Sequence, residues 1–220
     1  MARWGMVVDL RKCVGCGTCE TVCDQIRNVP PGSRWRRVVE CKADEDLVNQ
    51  PLFLSICCMH CDKPPCLDAC PTGATHRRPD GIVEIKYELC VGCGCCVVAC
   101  PYQARTICVE DKIQFEANAD TQDTILSISD RIGVCTKCDF CFKDLDGGLA
   151  HRKSSGTDDE ASPACVRFCI AEALCFGDLD DPESEIFRLI KENKAVRFNE
   201  ELGTDCSVYY IYDRDSLKEC

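Results

Sequence analysis

The residues in this chain best suited to do chemistry are its cysteines, 24 among 220. That is about one residue in nine, far above an ordinary globular domain. Their spacing groups them into four motifs. The first is Cys13-x2-Cys16-x2-Cys19-x3-Cys23, and the third is Cys90-x2-Cys93-x2-Cys96-x3-Cys100, followed by Pro101. The second is a looser version, Cys58-x2-Cys61-x4-Cys66-x3-Cys70, followed by Pro71. The fourth is Cys138-x2-Cys141, then a long gap, then Cys165-x3-Cys169. Thiolates are soft ligands that favour iron, zinc and cuprous copper. Three cysteines separated by two residues can wrap a loop around one metal centre. Gly15 and Gly92, both within CVGC, permit the tight backbone such a loop needs. The fourth cysteine lies about one helical turn further on, starts a short helix pointing away, and so serves a second centre. The motifs must therefore work in pairs.

This is the C-x2-C-x2-C-x3-C run of proteins that bind 4Fe–4S clusters, in which the last cysteine serves the other cluster of the pair. Four motifs predict four clusters on sixteen cysteines. A zinc ribbon needs only two C-x2-C pairs, usually 12 or more residues apart. Three or four cysteines within eleven residues overshoot that pattern. A disulfide framework belongs to secreted chains, and Met1 to Asp9 has neither the apolar stretch nor the cleavage site of a secretory leader.

No stretch reaches the roughly 20 apolar residues of a membrane-spanning helix, so membrane attachment is expected only through a partner. The net charge of −11 argues against nucleic-acid binding. No G-x-S-x-G, Walker A loop or dinucleotide fingerprint is present, and the three histidines (His60, His76, His151) suggest no acid–base pair. No catalytic residue is expected.

The elements that must position the cysteines can be read between the motifs. Between Cys70 and Cys90, Asp80-Gly81 signals a turn and Ile82 to Ile85 a strand, the compact connection of a two-cluster ferredoxin unit. The second and third motifs thus form an inner unit, residues 52–112. The first and fourth must then pair across it as an outer unit, residues 1–51 and 113–180, leaving a C-terminal extension, 181–220. The expected class is α+β: two pseudo-symmetric ferredoxin-like units, one inserted in the other. Strands are expected at Trp4–Asp9, near Cys175–Gly177, and at Val208–Tyr212. Asp181 is the expected cap of a helix with Pro182 at its first position, and Ile186, Leu189 and Ile190 give it one apolar face. Gly32–Asn49 and Ala150–Ser162 read as loops.

The nested order of motifs resembles the four-cluster iron–sulfur subunit of the molybdopterin oxidoreductases, the group of the dimethyl sulfoxide, polysulfide, thiosulfate, tetrathionate and respiratory arsenate reductases. The stretches carrying the resemblance are GMVVDLRKCVGCGTCETVC, CMHCDKPPCLDACPTGA, CVGCGCCVVACPY, KCDFCFKDLDGGL, PACVRFC and GDLDDPESEIFRLI. Spacing leaves open Cys57 or Cys58, Cys95 or Cys96, and Cys135 or Cys141; the resemblance implies Cys58, Cys96 and Cys141. It also implies interleaved ligand sets. Cys13, Cys16, Cys19 and Cys169 would hold one cluster, and Cys23, Cys138, Cys141 and Cys165 the second. Cys58, Cys61, Cys66 and Cys100 would hold the third, and Cys70, Cys90, Cys93 and Cys96 the fourth. Asp24 and Ile170 stand where a proline often follows the last cysteine, and the Ala150–Ser162 loop lengthens one gap; neither removes a ligand.

The resemblance implies single-electron relay between a large molybdenum or tungsten bis-pterin catalytic subunit and a quinone-linked membrane subunit or other carrier. The Cys13 set would lie nearest the catalytic subunit and the Cys23 set at the far end. A free-standing polyferredoxin shuttle and a zinc-dependent interaction module are the competing readings. Eight cysteines remain: Cys41, Cys57, Cys95, Cys108, Cys135, Cys175, Cys206 and Cys220. Each is expected to pack as a small hydrophobe. These thiols and the missing leader favour the cytoplasm; the alternative is the periplasm, reached by folded export on a partner's twin-arginine signal. Three further features stand out. His60 could donate to a cluster sulfur or simply pack. Arg34-Trp35-Arg36-Arg37 could be a solvated loop or a docking contact. Lys137 could raise the potential of the neighbouring cluster.

Overall fold

The computed structural model describes residues 2–30, 32–41, 51–109, 128–142 and 162–212. Within these the elements begin with β1 (Trp4–Asp9), α1 (Thr18–Ile26), β2 (Arg36–Cys41), β3 (Leu52–Cys57), α2 (Pro65–Asp68), β4 (Thr75–Arg77) and β5 (Val83–Ile85). They continue with α3 (Cys95–Ala99), β6 (Thr106–Ile107), β7 (Cys135–Thr136), α4 (Ala164–Arg167), β8 (Leu174–Asp178), α5 (Glu185–Glu192), β9 (Val196–Arg197) and β10 (Val208–Ile211). Short helices mixed with small sheets make an α+β fold of the ferredoxin-like kind.

β1 is the spine. All six of its residues are buried, as befits a strand covered on both faces. It pairs antiparallel with β8 and parallel with β10, which carries β9 at the edge. All three strands expected here are present. α5 covers this sheet with the anticipated face, placing Ile186 fully buried beside Val7, Leu179 and Ile211, with Leu189 and Ile190 packed alongside. Its start differs from expectation. Ser184, not Asp181, caps the helix, its hydroxyl accepting from the Phe187 N–H at 3.3 Å. Asp181 closes the preceding turn instead, accepting from the Glu183 N–H at 3.0 Å.

The segment expected as a loop from Gly32 contains β2, which pairs antiparallel with β3 from Arg36 opposite Cys57 to Cys41 opposite Leu52. β3 supplies the reason: its apolar run LFLSIC buries Leu54, Ser55, Ile56 and Cys57 and presents a ladder that β2 completes. The Arg34–Arg37 run is therefore solvated only in part, with Arg34 exposed and Arg37 half-buried. Trp35 and Arg36 are both 2 % exposed, and the Arg131 guanidinium sits over the Trp35 ring at 5.1 Å. The 42–49 part of the loop, Ala150–Ala161, His151 and Cys220 lie outside the described residues.

Four short helices bear the cysteines. α1 carries Cys19 and Cys23, α2 carries Cys66 with Cys70 just beyond, α3 carries Cys96 with Cys100 as its C-cap, and α4 carries Cys165 with Cys169 just beyond. α1 packs on α4, and α2 on α3. Gly17 and Gly94 open α1 and α3 in the left-handed region, at φ 71° and 79°. Prolines open the other two, Pro64-Pro65 at α2 and Pro163 at α4. No helix among the described residues is long and apolar enough to cross a membrane.

Candidate metal centres

The fold gathers the predicted cysteines into local groups. Cys13 lies in electrostatic contact with Cys16, Cys19 and Cys169. Cys23 lies likewise among Cys138, Cys165 and Cys141, all buried. Cys58 neighbours Cys61 and Cys66, and Cys66 neighbours Cys100. Cys70 and Cys90 pack against an apolar group that holds Cys66, Cys96 and Cys135, and Cys96 and Cys93 both lie beside Cys95. Among the described residues no three or more His, Cys, Asp or Glu are placed to hold a single metal ion.

Backbone N–H groups aim at several of the sulfurs. Thr75 donates to Cys70 Sγ at 3.4 Å, Cys135 to Cys90 Sγ at 3.4 Å, and Ala173 to Cys169 Sγ at 3.3 Å. Such bonds favour the thiolate. The loop glycines do what CVGC suggested: Gly15 and Gly92 take φ of 69° and 64°. A β-carbon on Gly92 would stand 2.1 Å from the Gly133 carbonyl oxygen.

In the middle groups a hydrogen bond from Cys57 brings Cys138 down to about 7, while burial acts the other way on its neighbours. Burial pushes Cys58 and Cys165 up to about 11. Burial also acts on Cys70, but hydrogen bonds from Thr75 and Thr72 outweigh it and bring that thiol down to about 7. Cys16, exposed, is lowered by Thr18, whose Oγ1 lies 3.3 Å from its sulfur. Metal binding deprotonates such ligands outright.

The group of Cys23, Cys138, Cys141 and Cys165 has neighbours on two sides. Cys165 neighbours Cys19 on one side. On the other, His60 of the second motif stacks on Phe140 of the fourth, with ring centroids 3.8 Å apart.

His60 packs as one of its two readings held. It is fully buried, and burial first, then Lys137 and Arg105, hold it well below the ordinary histidine range and therefore neutral. Its Nδ1 accepts from the Val83 N–H at 3.0 Å, which leaves the ring proton on Nε2, where no partner lies within reach. Among the spare cysteines, Cys57, Cys135 and Cys206 are buried within hydrogen-bonding reach of Cys138, Cys96 and Cys61. Cys95 is exposed, contrary to the packing expected of it, because it occupies the outer face of α3.

Sequence reasoning missed the inward turn of two arginines. Arg36 is buried, donating to Ser55 Oγ at 2.8 Å, and Ser55 Oγ lies 3.7 Å from Cys19 Sγ. Arg105 is 4 % exposed, donates to Thr75 Oγ1 at 3.0 Å, and keeps an Nη2 with no partner. A charged residue is read as exposed by default, and neither arginine sits in a motif. Burying a cation is expensive unless an opposite charge faces it. Cysteine thiolates around an iron–sulfur centre would supply that charge, so the surroundings fit the group that the motifs call for.

Residues 49–117 match the 4Fe-4S dicluster domain, a span holding the second and third motifs. The chain is 36 % identical to a selenate reductase subunit of Mesobacillus selenatarsenatis, over 95 % of this chain and 72 % of that protein. It is 34 % identical to the iron–sulfur cluster-binding subunit of menaquinone reductase from Nitratidesulfovibrio vulgaris, over 98 % of this chain and 91 % of the other. It is also 34 % identical to a tetrathionate reductase subunit of Salmonella typhimurium, over 95 % and 72 %. With 4Fe–4S motifs, an α+β fold that gathers their thiols, and relatives of this kind along nearly its whole length, the chain belongs to the iron–sulfur electron-transfer subunits (beta subunits) of the molybdopterin oxidoreductases.

Proposed function

We propose that the chain relays single electrons through four 4Fe–4S clusters set in a row. The ligand sets are Cys13/Cys16/Cys19/Cys169, Cys23/Cys138/Cys141/Cys165, Cys58/Cys61/Cys66/Cys100 and Cys70/Cys90/Cys93/Cys96. The observation that carries this reading is the gathering of Cys23 with Cys138, Cys141 and Cys165, drawn from opposite ends of the sequence. Bound clusters supply the one-electron chemistry. The chain's own residues hold the thiols in place, exclude water from the middle groups and aim N–H donors at the sulfurs. The packing of α1 on α4 and α2 on α3 supports two ferredoxin-like units, one inserted in the other.

The partners follow from the two ends. Cys16 and Cys93 are exposed. Beside the first stand exposed Val14, Phe168 and Ile170; beside the second, exposed Leu89, Val91 and Val98. Exposed apolar patches of this kind mark docking surfaces. The Cys13 end would meet a large molybdenum or tungsten bis-pterin catalytic subunit. The Cys70 end would meet a quinone-linked membrane subunit or another carrier. Cytoplasmic location is supported by the free thiols Cys57, Cys95, Cys135, Cys175 and Cys206. The disulfide-bonded Cys41 instead suits the periplasm, reached on a partner's twin-arginine signal, and cell fractionation decides between the two.

Iron analysis of anaerobically purified protein tests the cluster count. About sixteen irons per chain are expected, four for each of four clusters. A few zinc ions with no absorbance near about 400 nm would overturn the reading. Co-purification with a pterin-containing chain tests the partner, and a chain that isolates alone with full iron content would instead fit a shuttle.

A further inference from the structure

Among the described residues four buried cations form no ion pair with a carboxylate; Arg131 lies over the Trp35 ring, and the other three lie among the thiols. Arg36, Arg105 and Lys137 are 2 %, 4 % and 3 % exposed. Among the described residues none of them forms an ion pair with Asp or Glu. Arg36 donates to Ser55 Oγ at 2.8 Å and to Met6 Sδ at 3.0 Å. Arg105 donates to Thr75 Oγ1 at 3.0 Å and reaches Cys135 Sγ at 3.9 Å. Lys137 Nζ donates to the carbonyl oxygens of Val83 and of Cys138, the latter at 2.7 Å. All of these partners are neutral.

Their places in the row are regular. Arg36 lies between the first two thiol groups, linked through Ser55 to Cys19 and within hydrogen-bonding reach of Cys165. Lys137 lies between the second and third, bonded beside Cys138 and in electrostatic contact with Cys58 and Cys66. Arg105 lies between the third and fourth, within hydrogen-bonding reach of both Cys66 and Cys96. We propose that these three cations are potential-setting residues, one at each junction between successive clusters. The proposal rests on the four-cluster reading above.

The physical argument is electrostatic. A cluster on four thiolates is anionic, and reduction adds one more negative charge. A fixed cation in a water-poor interior favours the reduced state of both clusters it touches. It therefore raises both flanking potentials together, and potentials of this cluster type respond to nearby charge. Placed between two clusters, it also offsets the repulsion between an electron on one and the charge on the next. Neutral His60, close to two of the three, adds no charge of its own.

The test is an EPR-monitored redox titration of the full, cluster-loaded chain and its variants. Arg36→Met should lower the potentials of the first and second clusters, Lys137→Met the second and third, and Arg105→Met the third and fourth. In each case the clusters off that junction should stay put. A tenfold change in the reduction equilibrium, about 59 mV for one electron, is the expected scale. Unchanged potentials at the flanking clusters, or equal shifts in all four, would overturn the proposal. If a methionine variant fails to take up iron, the charge-conserving Arg36→Lys, Lys137→Arg and Arg105→Lys decide. Variants that load and keep near-native potentials support a role for charge. Variants that fail equally show packing alone and refute it. Failure of the four-cluster reading is separable, because it appears as a low iron count in the unaltered chain.

Discussion

The thiol groups at the two ends of the row are built differently from the two in its middle. At the ends, Cys16 and Cys93 are exposed, Cys13, Cys169, Cys70 and Cys90 only partly covered, and just Cys19 and Cys96 buried. Their loops are cradled by glycines in the left-handed region. In the middle, seven of the eight are buried, Cys23, Cys138, Cys141, Cys165, Cys58, Cys61 and Cys66, and only Cys100 is partly covered. There the loops are shaped by prolines, by a salt bridge between Arg27 and Asp139 at 2.6 Å, and by the His60–Phe140 stack. The difference teaches a division of labour. The ends suit exchange with partners, and the middle is sealed as low-dielectric interior where charge acts strongly.

Substitutions at equivalent cysteines should break this comparison most sharply. Cys165→Ser should remove about four irons and disrupt the middle of the fold, because cluster binding and folding are coupled there. Cys16→Ser, at an exposed position, should leave the other clusters loaded. Iron content and thermal unfolding separate the two outcomes, and equal damage at both would erase the distinction. Next in size, Phe140→Ala should destabilise by about 3–5 kcal/mol, read from the denaturant midpoint, since it removes a buried ring packed against both His60 and Phe176.

Within the end loops, glycines offer a finer probe. Gly92→Ala meets the Gly133 carbonyl and a left-handed backbone at once, and should cost about 2–3 kcal/mol. Gly73→Ala shares the positive φ but meets nothing within 4 Å, so about 1 kcal/mol is expected. Ser184→Ala, outside the cysteine motifs, should cost about 1 kcal/mol through the lost cap and leave the visible absorbance unchanged. Val98→Asp, at a residue 90 % exposed, should shift stability by no more than about 0.5 kcal/mol. The same change should weaken co-purification of a partner, and undiminished partner recovery would remove Val98 from the docking surface.

Much of this was legible because it is local. C-x2-C-x2-C spacing, the CVGC turn and the Ile186/Leu189/Ile190 face depend on residues a few positions apart, and each took the expected form. The helix start at Ser184 was not legible, since both Asp181 and Ser184 are good caps and the turn that Asp181 closes decides between them. β2 was hidden because a charged run with two valines is a strand only once β3 lies beside it.

By itself, the amino-acid sequence determined that this chain is an iron–sulfur protein of four cysteine motifs, because ligand chemistry and loop geometry are properties of short stretches. Only the tertiary structure decided which ends of the chain meet. It brought Cys23 to Cys138 and Cys165 and turned Arg36 and Arg105 inward. A lone buried guanidinium is prohibitively costly, so nothing in the local sequence could announce it. The cost becomes bearable only where distant segments converge to place anionic sulfur around the charge.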